Sequence, residues 1–497
     1  MNNKIKITKW LMLATVFAAA GIPAAAQTSD TAEIDELKAE MQAMQTNMDA
    51  MHQRINELEQ EKMAAIGVLP GTNASMALTN APLVVTNASQ LVIFETSTQA
   101  VAVQVSPITD RGNLQDYQSQ APRLSNQTLN AKYWGFIPIP NTPGIIQFNA
   151  KPRLDMMWDN QNSGNPDRFV TATIPAGGPT AGGGNQFNVT AKGSSLSIDV
   201  RAPTVAGDFR FYYNNDFFGP GTGMAYRLKQ LYGQFYNVTA GFTFSIFEDP
   251  DVWPDTVDFE GPNSLIFARQ PTVRYELALS DHWNLNFGLQ QPSSDIDNEG
   301  AEAGASADNH APDGGFNIRW EDEKWGHVQF ATIFRDVGAR DTTLGQQSVL
   351  GWGLNLSTSL NVFAHDSVQG QITYGHGIFH FCNDNFTYTD FNGGDAAFNN
   401  AGELRALQYV APMVGYTHQW CDEFRSTATF GYVNLQNEQA QTAAAYHETY
   451  YASGNVIWQL RKRLSVGLEC LYGYKDDAGG AHGDVWRIQT GLVYTLF

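Results

Sequence analysis

The feature that most constrains this chain is a recurrence. From about residue 145 to the C-terminus, period-2 segments follow one another, with turn signals between them. The segments are 145–158, 187–202, 207–219, 224–236, 238–246, 265–280, 282–290, 313–322, 325–337, 349–362, 366–377, 405–419, 423–434, 446–461, 464–475 and 484–497. Connections after the even-numbered segments are very short: Pro203–Ala206, Asn237, Asp281, Glu323–Lys324, Phe363–His365, Trp420–Asp422 and Lys462–Arg463. Those after the odd-numbered ones are mostly long: 159–186, 247–264, 291–312, 338–348, 378–404 and 435–445. An antiparallel transmembrane barrel with both ends in the periplasm predicts this parity. A soluble sandwich does not. The last segment fits: Trp486, Ile488, Leu492, Tyr494 and Leu496 share one face, Arg487, Gln489, Gly491 and Thr495 the other, and the chain ends on Phe497. In a soluble protein this would be an open, aggregation-prone edge. In a barrel it pairs with the first strand and no edge remains.

Composition agrees. Only 16% of residues are charged, where roughly 25% is usual. After the leader no run of 18 apolar residues occurs, so no membrane helix is expected. A mean hydropathy of -0.30 suits strands that face water on one side. The formal charge of -20 argues against nucleic acid as a partner.

Lys4, Lys6 and Lys9 precede an apolar run from Leu11 to Ala20 and then Ala24, Ala25 and Ala26. This is the pattern of a secretory signal peptide, 1–26. Ile34, Leu37, Met41, Met44, Met48, Met51, Ile55 and Leu58 then recur at alternating spacings of 3 and 4. Such an a/d seam predicts a parallel coiled-coil stalk over 27–66, with the number of chains left open. Residues 67–140 are rich in Thr, Asn, Ser, Gln and Ala, with several prolines. They are expected to be a periplasmic linker, with or without short strands, followed by the barrel over 141–497. The expected fold is therefore all-β: a 16-stranded antiparallel transmembrane β-barrel preceded by a periplasmic α-helical coiled coil and linker.

The parity opposite the apolar one carries Lys151, Arg153, Arg201, Arg210, Arg274, Arg319 and Arg335, with Arg227 and Lys229 on a strand that alternates poorly. A cation facing lipid costs roughly 2–4 kcal/mol at the bilayer midplane, so these belong in the lumen. There they form a basic ladder that attracts anions, or they serve only to satisfy loop carboxylates. Asp155, Asp199, Asp216 and Glu276 are the main carboxylates of the same face. The fifth segment leads into an acidic loop with Glu248, Asp249, Asp251, Asp255, Asp258 and Glu260, three prolines, and the aromatics Trp253 and Phe259. Exposed loops have little need of two large aromatics. The loop is expected to fold inward, narrow the pore, and set its carboxylates against the basic wall. The wall carries cations on strands before and after that loop, among them Arg153, Arg210 and Arg274, so some cations along the path are expected to stay unpaired.

The run Gly241–Pro262 resembles the corresponding stretch of DcaP-like trimeric porins, as do the runs beginning at Asn165, Tyr226, Arg269 and Pro312. The resemblance spans about 145–340. It implies a homotrimer in the outer membrane of a Gram-negative-type bacterium, contacting outer-membrane lipids and passing small anionic solutes such as dicarboxylates. By motif, Arg227, Lys229, Arg269 and Arg274 match basic positions of the family.

No nucleophile elbow, phosphate loop or zinc-protease helix occurs, so no enzyme and no cofactor is expected. His376, His380 and Cys382 sit close together and read as a polar loop edge rather than a metal site. The leading reading is a passive diffusion pore, selective for anions or a non-selective general porin. The alternative, from a different class, is a structural or adhesive surface barrel without a functional pore.

Overall fold

This computed structural model describes residues 136–496, apart from 178–182, 205–206, 222, 298–303, 364 and 386–393, together with Gln53. The expected signal peptide, stalk and nearly all of the linker lie outside the described residues. So does Phe497.

Among the described residues twenty strand segments join in one sheet, and they pair antiparallel throughout. Each long strand pairs with the next in sequence. The last, His482–Tyr494, returns to the early strand Arg153–Asp159, with Arg487 opposite Asp159 and Val493 opposite Arg153. The sheet therefore closes on itself as a β-barrel. Closure satisfies the backbone donors and acceptors that an open edge would expose to lipid.

Side chains divide as the period-2 pattern requires. On Arg153–Asp159, Leu154, Met156 and Trp158 are exposed, while Arg153, Asp155, Met157 and Asp159 are buried inside. On the closing strand Trp486, Ile488, Leu492 and Tyr494 are exposed, and Arg487 and Gln489 are buried. The exposed large hydrophobics recur on strand after strand, from Phe148 to Leu496, an apolar surface suited to lipid.

Three boundaries differ from expectation. The first segment is interrupted at Pro152, which lacks an amide proton, giving Ile145–Lys151 and Arg153–Asp159. The second is broken between Gln186–Thr190 and Ser195–Thr204. The connection expected to be long at 338–348 is instead a tight hairpin joining Gly326–Asp341 to Gly345–Val362. Val337 and Ala339 are both fully buried, so the alternation continues past the expected end. Asp341 Oδ1 then accepts from the Thr343 and Leu344 amides at 2.6 and 2.8 Å, and Gly345 takes φ +74°, a conformation glycine adopts without strain.

The long loops build a second structure inside the ring. Ile246, Phe247 and Ile266 from one loop pack with Ile378, Phe379 and Phe381 from another. Val170 and Ala172 of a third join them, together with the inward residues Ala331, Ile333, Tyr409 and Val433 of the wall. Asp384 ties these loops together: its carboxylate accepts from Thr171 Oγ1, the Ala172 amide, Tyr446 Oη and Thr449 Oγ1, all within 3.0 Å. Cys382 is buried in this core, donating from Sγ to the Asn263 carbonyl, while Cys421 and Cys470 are exposed. All three are free thiols.

Candidate functional site: the acidic loop against the inner wall

The strand Val238–Phe244 ends where Gln290 Oε1 accepts from Ser245 Oγ and the Ile246 amide, at 3.0 and 3.1 Å, turning the chain inward. Asp249 caps the short 3-10 turn Pro250–Val252 by accepting from the Asp251 amide at 3.2 Å. From there the loop runs between distant parts of the wall. Asn355 Nδ2 donates to the Phe247 carbonyl and Gln371 Nε2 to the Ser264 carbonyl, at 3.2 and 3.0 Å. Asn455 Nδ2 donates to the Asp255 carbonyl at 2.8 Å. The two aromatics are anchors. Trp253 is buried edge-on to Phe267, centroids 5.0 Å apart, and Phe259 packs on Phe218 at 4.6 Å.

The acidic residues of the loop divide into two groups. Asp249 accepts from Arg319 Nη1 at 3.0 Å and Ser357 Oγ at 2.6 Å, with His327 Nε2 at 2.9 Å. Burial opposes its ionisation, but His327 and Arg319 outweigh it and hold the carboxyl far below its usual range. Asp251 takes Arg319 Nη2 at 2.7 Å, and Asp255 pairs with Arg425 Nε. The second group is shifted the other way, toward the protonated form. Burial pushes Glu248 well above its usual range against the pull of the Ala268 amide and Arg269. Burial pushes Asp258 up to about 8, assisted by Glu469 and Glu260 and opposed by Arg487. The Asp258 amide donates to Glu469 Oε2 at 2.5 Å, while its carboxyl accepts from the Phe169 and Gly261 amides at 3.3 and 2.9 Å. Burial also raises Glu260, although Arg168 Nη1 lies 3.1 Å away.

Most of the candidate cations are clasped by carboxylates of the strands. Arg153 Nε bonds Asp155 at 2.7 Å, and its Nη2 reaches the Val257 carbonyl of the loop. Arg201 and Arg210 face each other directly across the ladder and share Asp199, at 2.9 and 2.8 Å. Like charges so placed repel, and the shared carboxylate offsets this. Arg227 holds Asp216 at 2.5 Å. Arg335 bridges Asp313 at 3.0 Å and Asp395 at 2.9 Å. Arg274 approaches Glu276 only to 3.4 Å. Same-face positions two residues apart, or diagonal across a ladder, thus supply an acid to Arg153 and to Arg210. Arg269 lies over Phe244 and Phe267, at 5.1 and 4.5 Å. Lys151 is buried.

Around Phe259 the balance is different. Arg153, Arg227 and Lys229 all lie within 6 Å of its ring, at 5.3, 5.9 and 5.5 Å. Arg168 and Arg227 flank the neighbouring Phe218, at 5.0 and 5.3 Å. Four cations thus converge on two rings whose faces attract positive charge. Arg168 and Arg425 were not among the sequence candidates, because one lies in a loop and the other was not singled out on its strand. The Asn165–Val170 motif contained Arg168, which was the available signal.

His376, His380 and Cys382 do not converge. His380 Nδ1 bonds Asp295 at 3.0 Å, and Asp395 lies beside them, the ligand-type atoms within 4.8 Å of one another. Those oxygens are already taken by Arg335, the His380 and Asp295 amides and Asn385, so the cluster is a loop latch.

The model of the family described as DcaP outer membrane protein matches residues 96–495. No curated protein matches. Among solved structures, the DcaP outer-membrane channel of Acinetobacter baumannii aligns with a TM-score of 0.63 and 19% identity, over 71% of this chain and 97% of that one. An anion-selective porin from Comamonas acidovorans aligns with a TM-score of 0.47 and 11% identity, over 71% of this chain and all of that one. The barrel, its lipid-facing surface and the family match agree: this chain belongs to the DcaP outer membrane protein family.

Proposed function

We propose that the protein is a passive channel for small anionic solutes of the dicarboxylate type. The observation that carries this reading is the charge balance along the loop. Asp249, Asp251 and Asp255 are consumed by Arg319 and Arg425, Asp258 is pushed up to about 8, and burial shifts Glu248 upward as well. The acidic loop therefore contributes much less negative charge than its sequence suggests. Beside it Arg153, Arg227, Lys229 and Arg168 gather around the Phe259 and Phe218 rings, with Arg274 further along the wall. Lys151, Arg201, Arg210, Arg269 and Arg335 extend this basic lining. Selection is by sieving beside the loop and by the field of these cations.

The same reading takes the protein as a homotrimer in the outer membrane of a Gram-negative-type bacterium, with residues 27–66 as a periplasmic coiled-coil stalk and no catalytic role. It counts sixteen crossing strands. The segments on either side of Pro152 form one crossing, as do Gln186–Thr190 with Ser195–Thr204, and the two-residue strands are too short to cross. Deleting residues 31–62 is expected to weaken the oligomer and leave the barrel foldable. Heat-stable oligomers in the deletion variant would count against the stalk.

The test is the reversal potential across a planar bilayer in a salt gradient. Anion preference that weakens at high salt is the expected result. Cation preference leaves a general porin. A second reading has one observation in its favour: the interlocked loops with their own apolar core fill part of the lumen. A barrel that gives no conductance steps would be the structural or adhesive protein instead.

A further inference from the structure

A second site lies on the flank of the barrel, away from the acidic loop. Trp352, His376 and Gln408 follow one another across three paired strands: Trp352 is opposite His376, and His376 is opposite Gln408. Trp352 shares the parity of the exposed Leu350 and Leu354, so this row belongs to the outer surface of the ring. Above it two loop segments overhang. One, 399–401, caps the small hairpin of Ala396–Phe398 with Leu404–Ala406; the other is 436–439. Between them is a cavity of about 530 Å³, within the range of roughly 300–1,000 Å³ usual for small-molecule sites.

Its lining is unusual for a membrane-protein surface. Asn399, Asn400, Gln408, Gln436 and Gln439 contribute amides, and His376 an imidazole. Among the described lining residues there is no lysine or arginine, and Glu438 is the one carboxylate. Asn400 Nδ2 reaches Gln439 Oε1 at 3.4 Å, joining the two overhanging segments across the cavity. Asn399 Oδ1 is engaged by the Ala401 and Glu403 amides. Among the described residues the side chains of Gln408 and Gln436 show no hydrogen bond, so both amides are available to a ligand. At the floor His376 packs against Trp352, ring centroids 5.5 Å apart.

A neutral site that offers amide donors and acceptors together matches hydroxyl groups, which also donate and accept. The absence of cations from the lining disfavours phosphate and carboxylate ligands. An aromatic pair at the edge gives the apolar faces of a pyranose ring a surface to pack on. We propose that this pocket binds a saccharide, through Gln408 and Gln436 with Asn400 and Gln439, and with His376, backed by Trp352, as the packing surface. The sugar could come free from the medium or as the glycan of a glycolipid in the same leaflet; the recognition chemistry is shared.

The experiment uses the full-length protein in a sugar-free detergent and two neutral probes, a free glucose trisaccharide as the oligosaccharide and a glucosyl diacylglycerol as the glycolipid, titrated calorimetrically. The double variant Gln408→Ala/Gln436→Ala is expected to bind about tenfold more weakly, since each lost hydrogen bond is worth about 0.5–1.5 kcal/mol. Its channel conductance should be unchanged, which shows the barrel intact. Loss of oligosaccharide binding in the variant supports direct sugar recognition. Binding by the intact glycolipid alone, weakened in the variant, supports the site with the membrane as the source. No binding of either probe, or equal binding by wild type and variant, overturns the proposal. Should the double variant fail to insert, Asn400→Ala carries the same comparison.

Discussion

Two regions of the inner wall treat charge in opposite ways. The wall from Ile145 to Ala278 spends its strand carboxylates on its own arginines: Asp155 on Arg153, Asp199 on Arg201 and Arg210, Asp216 on Arg227. The wall from Asp313 to Arg425 reaches out to the loops, Arg319 to Asp249 and Asp251, Arg335 to Asp395 as well as to its strand neighbour Asp313, Arg425 to Asp255. The first wall gathers Arg153, Arg227 and Lys229 around Phe259. The second turns its charge into a clamp. One set of residue types thus lines the lumen on one side and anchors the loops on the other.

The largest effect is expected where the anchor is cut. Arg319→Ala removes the partner of two carboxylates, one of them fully buried, and should cost about 3–5 kcal/mol of loop stability. Single-channel recordings should show a larger, noisier conductance and weaker anion preference, since Asp249 and Asp251 are released as bare charges. Unaltered conductance would mean that the clamp is not what holds the loop.

Raising the pH probes the same anchor by titration. Asp258 has an ordinary value of 3.8 and is pushed up to about 8. The folded form keeps a proton that the unfolded form releases. Its contribution is therefore complete below pH 3.8, declines as the pH rises, and is lost once the pH passes about 8. Noise attributable to the loop should increase between pH 6 and pH 9, and Asp258→Asn should flatten the trend. A flat wild-type profile would remove the proton from the account.

On the first wall, Lys229→Ala should lower the anion-to-cation permeability ratio by about twofold to fivefold, because a unit charge 4 Å away in water is worth about 1 kcal/mol. Arg274→Ala should act in the same direction and less strongly, as its guanidinium already approaches Glu276. No change in reversal potential for either variant would place the ion path elsewhere. The smallest effect concerns packing alone: Trp253→Phe keeps an aromatic anchor against Phe267 and should cost about 1 kcal/mol, read as a slight fall in the temperature at which the loop becomes accessible to protease.

Much of the barrel was legible because lipid on one side and water on the other force a period of 2, and the alternation at Arg153–Asp159 or His482–Tyr494 is visible to the eye. The hairpin at Asp341–Gly345 was missed although the alternation of Val337 and Ala339 announced it. The interior loops left no comparable signal. Ile378, Phe379 and Phe381 pack on Phe247 and Ile266 through contacts with no period. The inward fold of the acidic loop was readable from Trp253 and Phe259, but its partners were not. Arg153 with Asp155 and Arg201 with Asp199 are spaced two apart and could be paired on paper. Arg425 with Asp255 and Arg168 with Glu260 depend on where the loop crosses, which only the assembled ring decides.

The seam between the last strand and the first carries a consequence for assembly. Arg487 and Asp159 sit opposite each other there and meet through two bonds, 2.6 and 2.8 Å, with the guanidinium fully enclosed. Sliding one strand by two residues would preserve which side chains face lipid, so hydrophobic sorting cannot detect the error. It would, however, set Arg487 against Met157 and leave an enclosed cation without its counter-ion, a penalty of several kcal/mol. The pair therefore acts as a lock that accepts one alignment of the chain's two ends, and a half-zipped barrel in the wrong alignment would reopen before it could be completed.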